Sequence, residues 1–308
     1  MSKDLDLLLV NVGGTRKKVY QELSKDFCGI EPPSWIALTA GFIRNHGFEV
    51  DILDGNAHNL DIKETVDYIL KENPKFVGII DYGQQANTAT PLMTGIGELC
   101  KEIKNQDSDS KVIITGWHPS ALPRRTLEEE ACDYVGEGEG FYTYLGILEG
   151  KDLRDVPGLW WKENGNIMNN PRAKNIENLT LELKDIAWDL LPMDKYRSFN
   201  WLGLRDLESR NEYASFYTGL GCPFTCKFCA IHVNFGERKI RYWEPGWVLN
   251  QIDYLVENYG IKNLKINDEM FVFNQSHFMP IVDGLIERDY GLNICAFARV
   301  DATKKEYL

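Results

Sequence analysis

Three cysteines within eight positions, Cys222, Cys226 and Cys229, are the residues of this chain best placed to do chemistry. They lie in Gly221-Cys222-Pro223-Phe224-Thr225-Cys226-Lys227-Phe228-Cys229, a C-x3-C-x2-C loop that follows a strand-like run. Thiolates are the ligands that iron–sulfur clusters take, and three this close can converge on one cubane without long-range help. A ferredoxin-type carrier supplies four cysteines, whereas three leave one iron open to bind and activate a small molecule. Two readings compete with this one. A structural zinc site could use Cys226 and Cys229 with Cys222 or His232, although such sites usually pair two knuckles. A thioredoxin-like pair at Cys226 and Cys229 would need a helix start within a small βαβ fold.

The rest of the chain must position that loop. Its 308 residues, 44% hydrophobic and 26% charged, are enough for two ordinary domains. Lys+Arg 34 against Asp+Glu 46 gives a net charge of −12, which argues against a large basic footprint for duplex DNA or an anionic membrane. No stretch approaches the ~20 apolar residues of a membrane span. Met1-Ser2-Lys3-Asp4 runs straight into a strand-like segment, with an acidic residue where a signal peptide carries basic ones. A cytoplasmic location is expected. The 7 cysteines, an odd count with three clustered, suit metal in a reducing compartment better than a disulfide framework.

Residues 1–150 alternate strand and helix signals. Apolar runs at 6–12, 48–53, 76–80, 111–115 and 134–135 read as strands, and 34–45, 62–72 and 90–104 read as helices. The pattern predicts an α/β fold with a doubly wound, Rossmann-like parallel sheet. Loops 13–15, 54–58, 81–85 and 116–120 all follow strands, at the edge where such sheets bind ligands. No G-x-G-x-x-G follows the first strand, which argues against a dinucleotide. Residues 151–212 read as a linker in which 158–163 and 166–170 form a hairpin about a type I′ turn at Asn164-Gly165. Trp160, Trp161 and Trp188 there read as packing residues. From Tyr213 a second α/β pattern begins, with strands at 214–218, 263–267 and 293–299 and helices at 245–259 and 276–289.

The cysteine loop, with Phe228 just before its last cysteine, resembles the signature of radical S-adenosylmethionine (SAM) enzymes. Pro32-Pro33 before a helix, Gly116-Trp117-His118-Pro119 and residues 133–140 (DYVGEGEG) resemble the cobalamin-binding domain that precedes the radical SAM domain in one large subgroup. Asp189-Leu190-Leu191-Pro192 and residues 266–271 (INDEMF) resemble that subgroup's linker and second barrel strand. The resemblance implies a [4Fe-4S] cluster on Cys222, Cys226 and Cys229, with SAM chelating the fourth iron. It implies Phe228 against the adenine, and Asp268 or Glu269 accepting from the SAM ammonium, an anion suited to a cation. Arg299 would face the SAM carboxylate. Gly116, His118 and Gly138 would lie at a cobalamin site.

The activity so implied is reductive cleavage of SAM to a 5′-deoxyadenosyl radical, with cobalamin-dependent methyl transfer or related chemistry on an unactivated carbon. A non-catalytic cluster- or corrinoid-binding module is the alternative. The implied partners are a small-molecule substrate and an electron donor such as flavodoxin or ferredoxin, with neither nucleic acid nor a membrane span.

Two features depart from the pattern. Base-off cobalamin binders carry D-x-H-x-x-G, whereas Asp54-Gly55-Asn56-Ala57-His58 has a different spacing and no matching glycine. Either cobalamin binds without a protein ligand to cobalt, or the domain has lost it. From Cys222 onward there are 87 residues, which hold roughly three strand–helix units at ~30 or more residues per βαβ. Residues 213–308 are therefore expected to form the N-terminal half of a (βα)6 partial barrel, incomplete in a fragment or completed by another chain. Such a half-barrel is expected to present an open parallel edge and an apolar inner face.

Overall fold

Apolar runs separated by helices bury both of their faces only as a parallel sheet with helices on each side. The computed structural model describes residues 5–13, 21–24, 28–82, 89–199 and 208–304. In it the runs form β1 (Leu7–Asn11), β2 (Val50–Asp54), β3 (Phe76–Asp81), β4 (Lys111–Gly116) and β5 (Tyr134–Gly136). These pair in parallel in the order β2-β1-β3-β4-β5. The order reverses between β1 and β3, so the crevice beyond their carboxyl ends is the natural ligand site of this sheet. Of the loops at that edge, positions 14–15 and 83–85 lie outside the described residues.

Local signals set the helices. Asp61 and Glu64 close a reciprocal capping box at the start of Ile62–Glu72, and Asn73 ends that helix at φ 47°. The helix Ser34–Asn45, entered through Pro33, buries every residue from Ser34 to Ile43 between sheet and neighbouring segments. Sequence periodicity misses the helix Phe141–Leu148, because its nearly unbroken apolar sequence has no polar face to mark a period.

The predicted hairpin is present as β6 (Leu159–Glu163) and β7 (Asn166–Asn169). Asn164 at φ 51° and Gly165 at φ 79° supply the two left-handed residues that a type I′ turn needs. Because β6 pairs antiparallel with β5, the hairpin extends the first sheet to seven strands.

Beyond it, β8 (Tyr213–Phe216) leads into β9 (Gly219–Gly221), which pairs antiparallel with β10 (Ile240–Tyr242). A second parallel sheet joins β8 to β11 (Asn263–Ile266) and β11 to β12 (Asn293–Ala296). Helices Pro245–Tyr259 and Gln275–Arg288 connect these three strands. Ile266 and Ile294 face a cavity of about 450 Å³ that Val282 and Leu285 of the second helix also line.

Alternation then turns Tyr213, Ser215 and Lys265 to the opposite face. This corrects the expectation of an apolar inner face. The inner face is polar because the segment before helix Ser34–Asn45 enters it. Lys265 Nζ lies 2.5 Å from Glu31 Oε1, to which the Tyr213 hydroxyl donates at 2.6 Å, and Ser34 Oγ donates to the Ser215 carbonyl at 2.6 Å. Among the described residues no helix is long and apolar enough to cross a membrane.

Candidate functional site

The cysteine loop is launched from a strand that only glycine permits. Gly221 adopts φ 106°, and a Cβ there would sit 2.3 Å from the Lys239 carbonyl oxygen. Cys222 follows at once and is buried, whereas Cys226 and Cys229 are partly exposed, and all three thiols are free. The Cys229 N–H donates to the Cys226 carbonyl at 3.0 Å, closing a turn between the last two. Burial pushes the Cys222 thiol up; the Phe224 N–H offsets this, while Cys229, Glu269 and Cys226 add to the rise. The three sulfurs and Glu269 thus share one neighbourhood. Among the described residues no three His, Cys, Asp or Glu side chains close on a single metal ion. A cubane presents its irons at separate corners and asks for thiolates spread around it, so three free thiols on one loop fit a cluster better than a zinc ion.

Asp268 and Glu269, left as alternatives by the sequence, have different surroundings. Asp268 is buried, and its oxygens accept the Thr218 N–H and the Thr218 hydroxyl at 2.6 Å each. Thr218 Oγ1 is also 3.0 Å from His277 Nε2, and the His277 ring lies 4.3 Å from that of Tyr242. Burial pushes Asp268 up to about 7 and His277 down to about 4. Asp268 therefore pins the entry to β9. Glu269 has no hydrogen-bonding partner among the described residues; burial raises its carboxyl and Lys265 offsets the rise. It is the carboxylate available to a cationic ligand.

Arg299 lies past the end of β12, because that strand stops at Ala296 and does not run to 299. Its guanidinium is bidentate to Asp301 at 2.8 and 2.5 Å, donates to Cys226 Sγ at 3.3 Å and lies 3.9 Å over the Phe224 ring. Phe228 is 82% exposed.

At the edge of the first sheet, Gly116 adopts φ 122°, and a Cβ there would sit 2.1 Å from the Asp81 carbonyl oxygen. The His118 N–H donates to Asp81 Oδ2 at 3.0 Å, and His118 Nδ1 lies 3.2 Å from Thr90 Oγ1. Burial lowers the His118 imidazole. Gly138, at φ 93°, donates its N–H to Ser120 Oγ at 2.9 Å. These three residues build the loop frame at the ends of β4 and β5. On the other flank, Asp54 accepts from Asn11 Nδ2, the Ala57 N–H and the Tyr196 hydroxyl, while His58 stands exposed.

Between this edge and the cysteine loop lies an aromatic seam that sequence reasoning did not find. Trp35 stacks on Tyr82 with centroids 4.5 Å apart, Tyr82 meets Trp117 at 5.0 Å, and Trp117 meets Phe235 at 5.4 Å. Tyr217, just after β8, reaches Trp35 edge-on at 6.2 Å. Along the seam Trp117 Nε1, Asp81 Oδ1 and both side-chain amide atoms of Asn234 are buried without a partner among the described residues. Such orphans are rare in folded proteins, and their concentration here fits a large planar group with a polar rim. Glu139, in the stretch 133–140, clamps the seam's flank. It pairs with Arg241 at 2.5 Å and accepts the Ile176 N–H at 3.0 Å.

Residues 25–148 match the B12 binding domain family. An uncharacterized methyltransferase of Pyrococcus horikoshii is 30% identical over 275 residues, covering 88% of this chain and 56% of that protein. The radical SAM methyltransferase TsrM of Kitasatospora setae superposes with a TM-score of 0.67 at 20% identity, over 95% of this chain and 54% of that one. The cobalamin-dependent SAM radical enzyme OxsB, with aqua-cobalamin bound, superposes with a TM-score of 0.71 at 17% identity, over 98% of this chain and 41% of that one. The chain spans about half the length of these relatives. The first part of the chain thus matches the B12 binding domain family, and the fold of the chain is that of these two solved enzymes.

Proposed function

We propose that this chain is the part of a radical SAM enzyme that binds SAM and a corrinoid, with residues 1–150 serving cobalamin, 151–212 connecting, and 213–308 serving the cluster and SAM. The observation that carries the reading is the meeting of three elements: the free thiols of Cys222, Cys226 and Cys229, the unpartnered Glu269, and the aromatic seam running from Tyr217 to Tyr82. When bound, a [4Fe-4S] cluster supplies the electron that cleaves SAM to methionine and a 5′-deoxyadenosyl radical, and cobalamin supplies a carrier for a methyl group.

This chain's own residues hold and shield. Cys222, Cys226 and Cys229 would hold the cluster, leaving one iron for SAM. Glu269 would accept hydrogen bonds from the SAM ammonium, and Phe228, exposed on the loop, would cover the adenine. Trp35, Tyr82, Trp117 and Tyr217 would exclude water between the two cofactors, while Gly116, His118 and Gly138 shape the loops that cradle the corrinoid. A small-molecule substrate and an electron donor such as flavodoxin or ferredoxin complete the reading, with methyl transfer to an unactivated carbon as its outcome. The test is anaerobic reconstitution with iron and sulfide, reduction, and electron paramagnetic resonance with and without SAM. A [4Fe-4S]⁺ signal that shifts on adding SAM is expected; a cluster signal indifferent to SAM would overturn the SAM assignment.

A further inference from the structure

We propose that Arg299 is a positioning residue that sets the reduction potential of the cysteine-loop cluster through Cys226. The inference rests on the cluster reading above and deepens it. Three contacts fix the guanidinium. Asp301 takes Nε and Nη2, the Phe224 ring lies beneath at 3.9 Å, and the remaining Nη1 is aimed at Cys226 Sγ at 3.3 Å. An arginine fork has fixed geometry, so engaging two nitrogens on a carboxylate determines where the third points. A charge-assisted N–H···S bond draws electron density from a ligating sulfur, and hydrogen bonds to sulfur and local net charge are main determinants of cluster potential. Asp301 offsets part of the positive charge but leaves the N–H···S bond in place. The arrangement therefore favours the reduced cluster, the more negative of the two states. It also ties the end of β12 to the loop, so the chain downstream of β12 is sensed at Cys226. This role differs from the SAM-carboxylate contact that the family resemblance implies, and the two are separable because it operates without SAM.

The test is a redox titration of the reconstituted 308-residue chain without SAM, followed by electron paramagnetic resonance, with iron content measured in every sample. Arg299 is partly exposed, so substitution leaves the core untouched. R299M is expected to retain iron and to titrate at a midpoint more negative by about 59 mV or more, a tenfold change for a one-electron couple. R299K, which keeps the charge but not the fork, is expected to shift less. A wild-type midpoint in R299M would overturn the inference, and weakened SAM binding with that midpoint unchanged would assign Arg299 to the SAM carboxylate instead. A wild-type chain that takes up no cluster would overturn the cluster reading, and the inference with it.

Discussion

Glu139 Oε1 lies 2.5 Å from Arg241 Nη2, with both side chains 5% exposed, bridging the first sheet and the strand that follows the cysteine loop. Arg241 also donates to the Ile176 carbonyl, so the pair is enclosed by the segment linking the two halves. Removing one partner of such a pair leaves a buried, uncompensated charge. E139Q is expected to cost about 3–5 kcal/mol, while the double variant E139M/R241M recovers most of that loss. Urea unfolding of the three proteins checks this, and a double variant no more stable than E139Q would contradict it.

Alanine at any one of Cys222, Cys226 or Cys229 should sharply reduce iron retained after reconstitution. Cys295, on β12 and away from the loop, serves as the control, and C295A should retain iron like the parent. Colorimetric iron per chain is the readout. Full retention in all three loop variants would remove the cluster assignment.

Glu269 and Asp268 should separate by phenotype. Hydrogen bonds to charged groups contribute about 1.5–3 kcal/mol, so E269Q should weaken SAM binding by roughly 10- to 100-fold with iron content unchanged. D268N disturbs the grip on Thr218 and should lower iron retention before it alters SAM affinity. Equilibrium binding beside iron analysis distinguishes the two, and identical profiles would refute the division of roles.

Burial pushes Asp81 up to about 7, with only the His118 N–H to offset it. The folded state therefore holds this proton over a window, from about pH 4 to about pH 7, in which the unfolded chain has released it. Stability from this group is greatest at the acid end, declines as pH rises through the window and levels above it. D81N does not titrate, so its stability relative to wild type should increase between about pH 5 and about pH 8. Denaturant unfolding of the metal-free chain at those two pH values is the measurement. A pH-independent difference would show that Asp81 is ionised throughout.

Much of this fold is legible locally. Helices Ser34–Asn45, Ile62–Glu72 and Pro245–Tyr259 appear at the boundaries read from sequence, because proline entries and left-handed Asn73 and Gly260 exits are short-range signals. Asn164-Gly165 announces its turn for the same reason. The strands β9 and β10 do not appear in the sequence reading, since three residues each are too few to show alternation. The site divides the same way. Its three cysteines lie within eight positions of one another and declare themselves. The partners that distinguish Asp268 from Glu269, and those that build the aromatic seam, come from distant strands that no local pattern brings together.

The insertion of Glu31 against Lys265 bears on how such proteins diversify. A graft of another protein's first 150 residues onto this barrel would strand a desolvated ammonium wherever the donor lacks an acid at position 31. Exchange of the two halves as independent modules is thereby penalised. Recombination between lineages should succeed where the acid and the lysine travel together, so the two halves evolve as a matched pair.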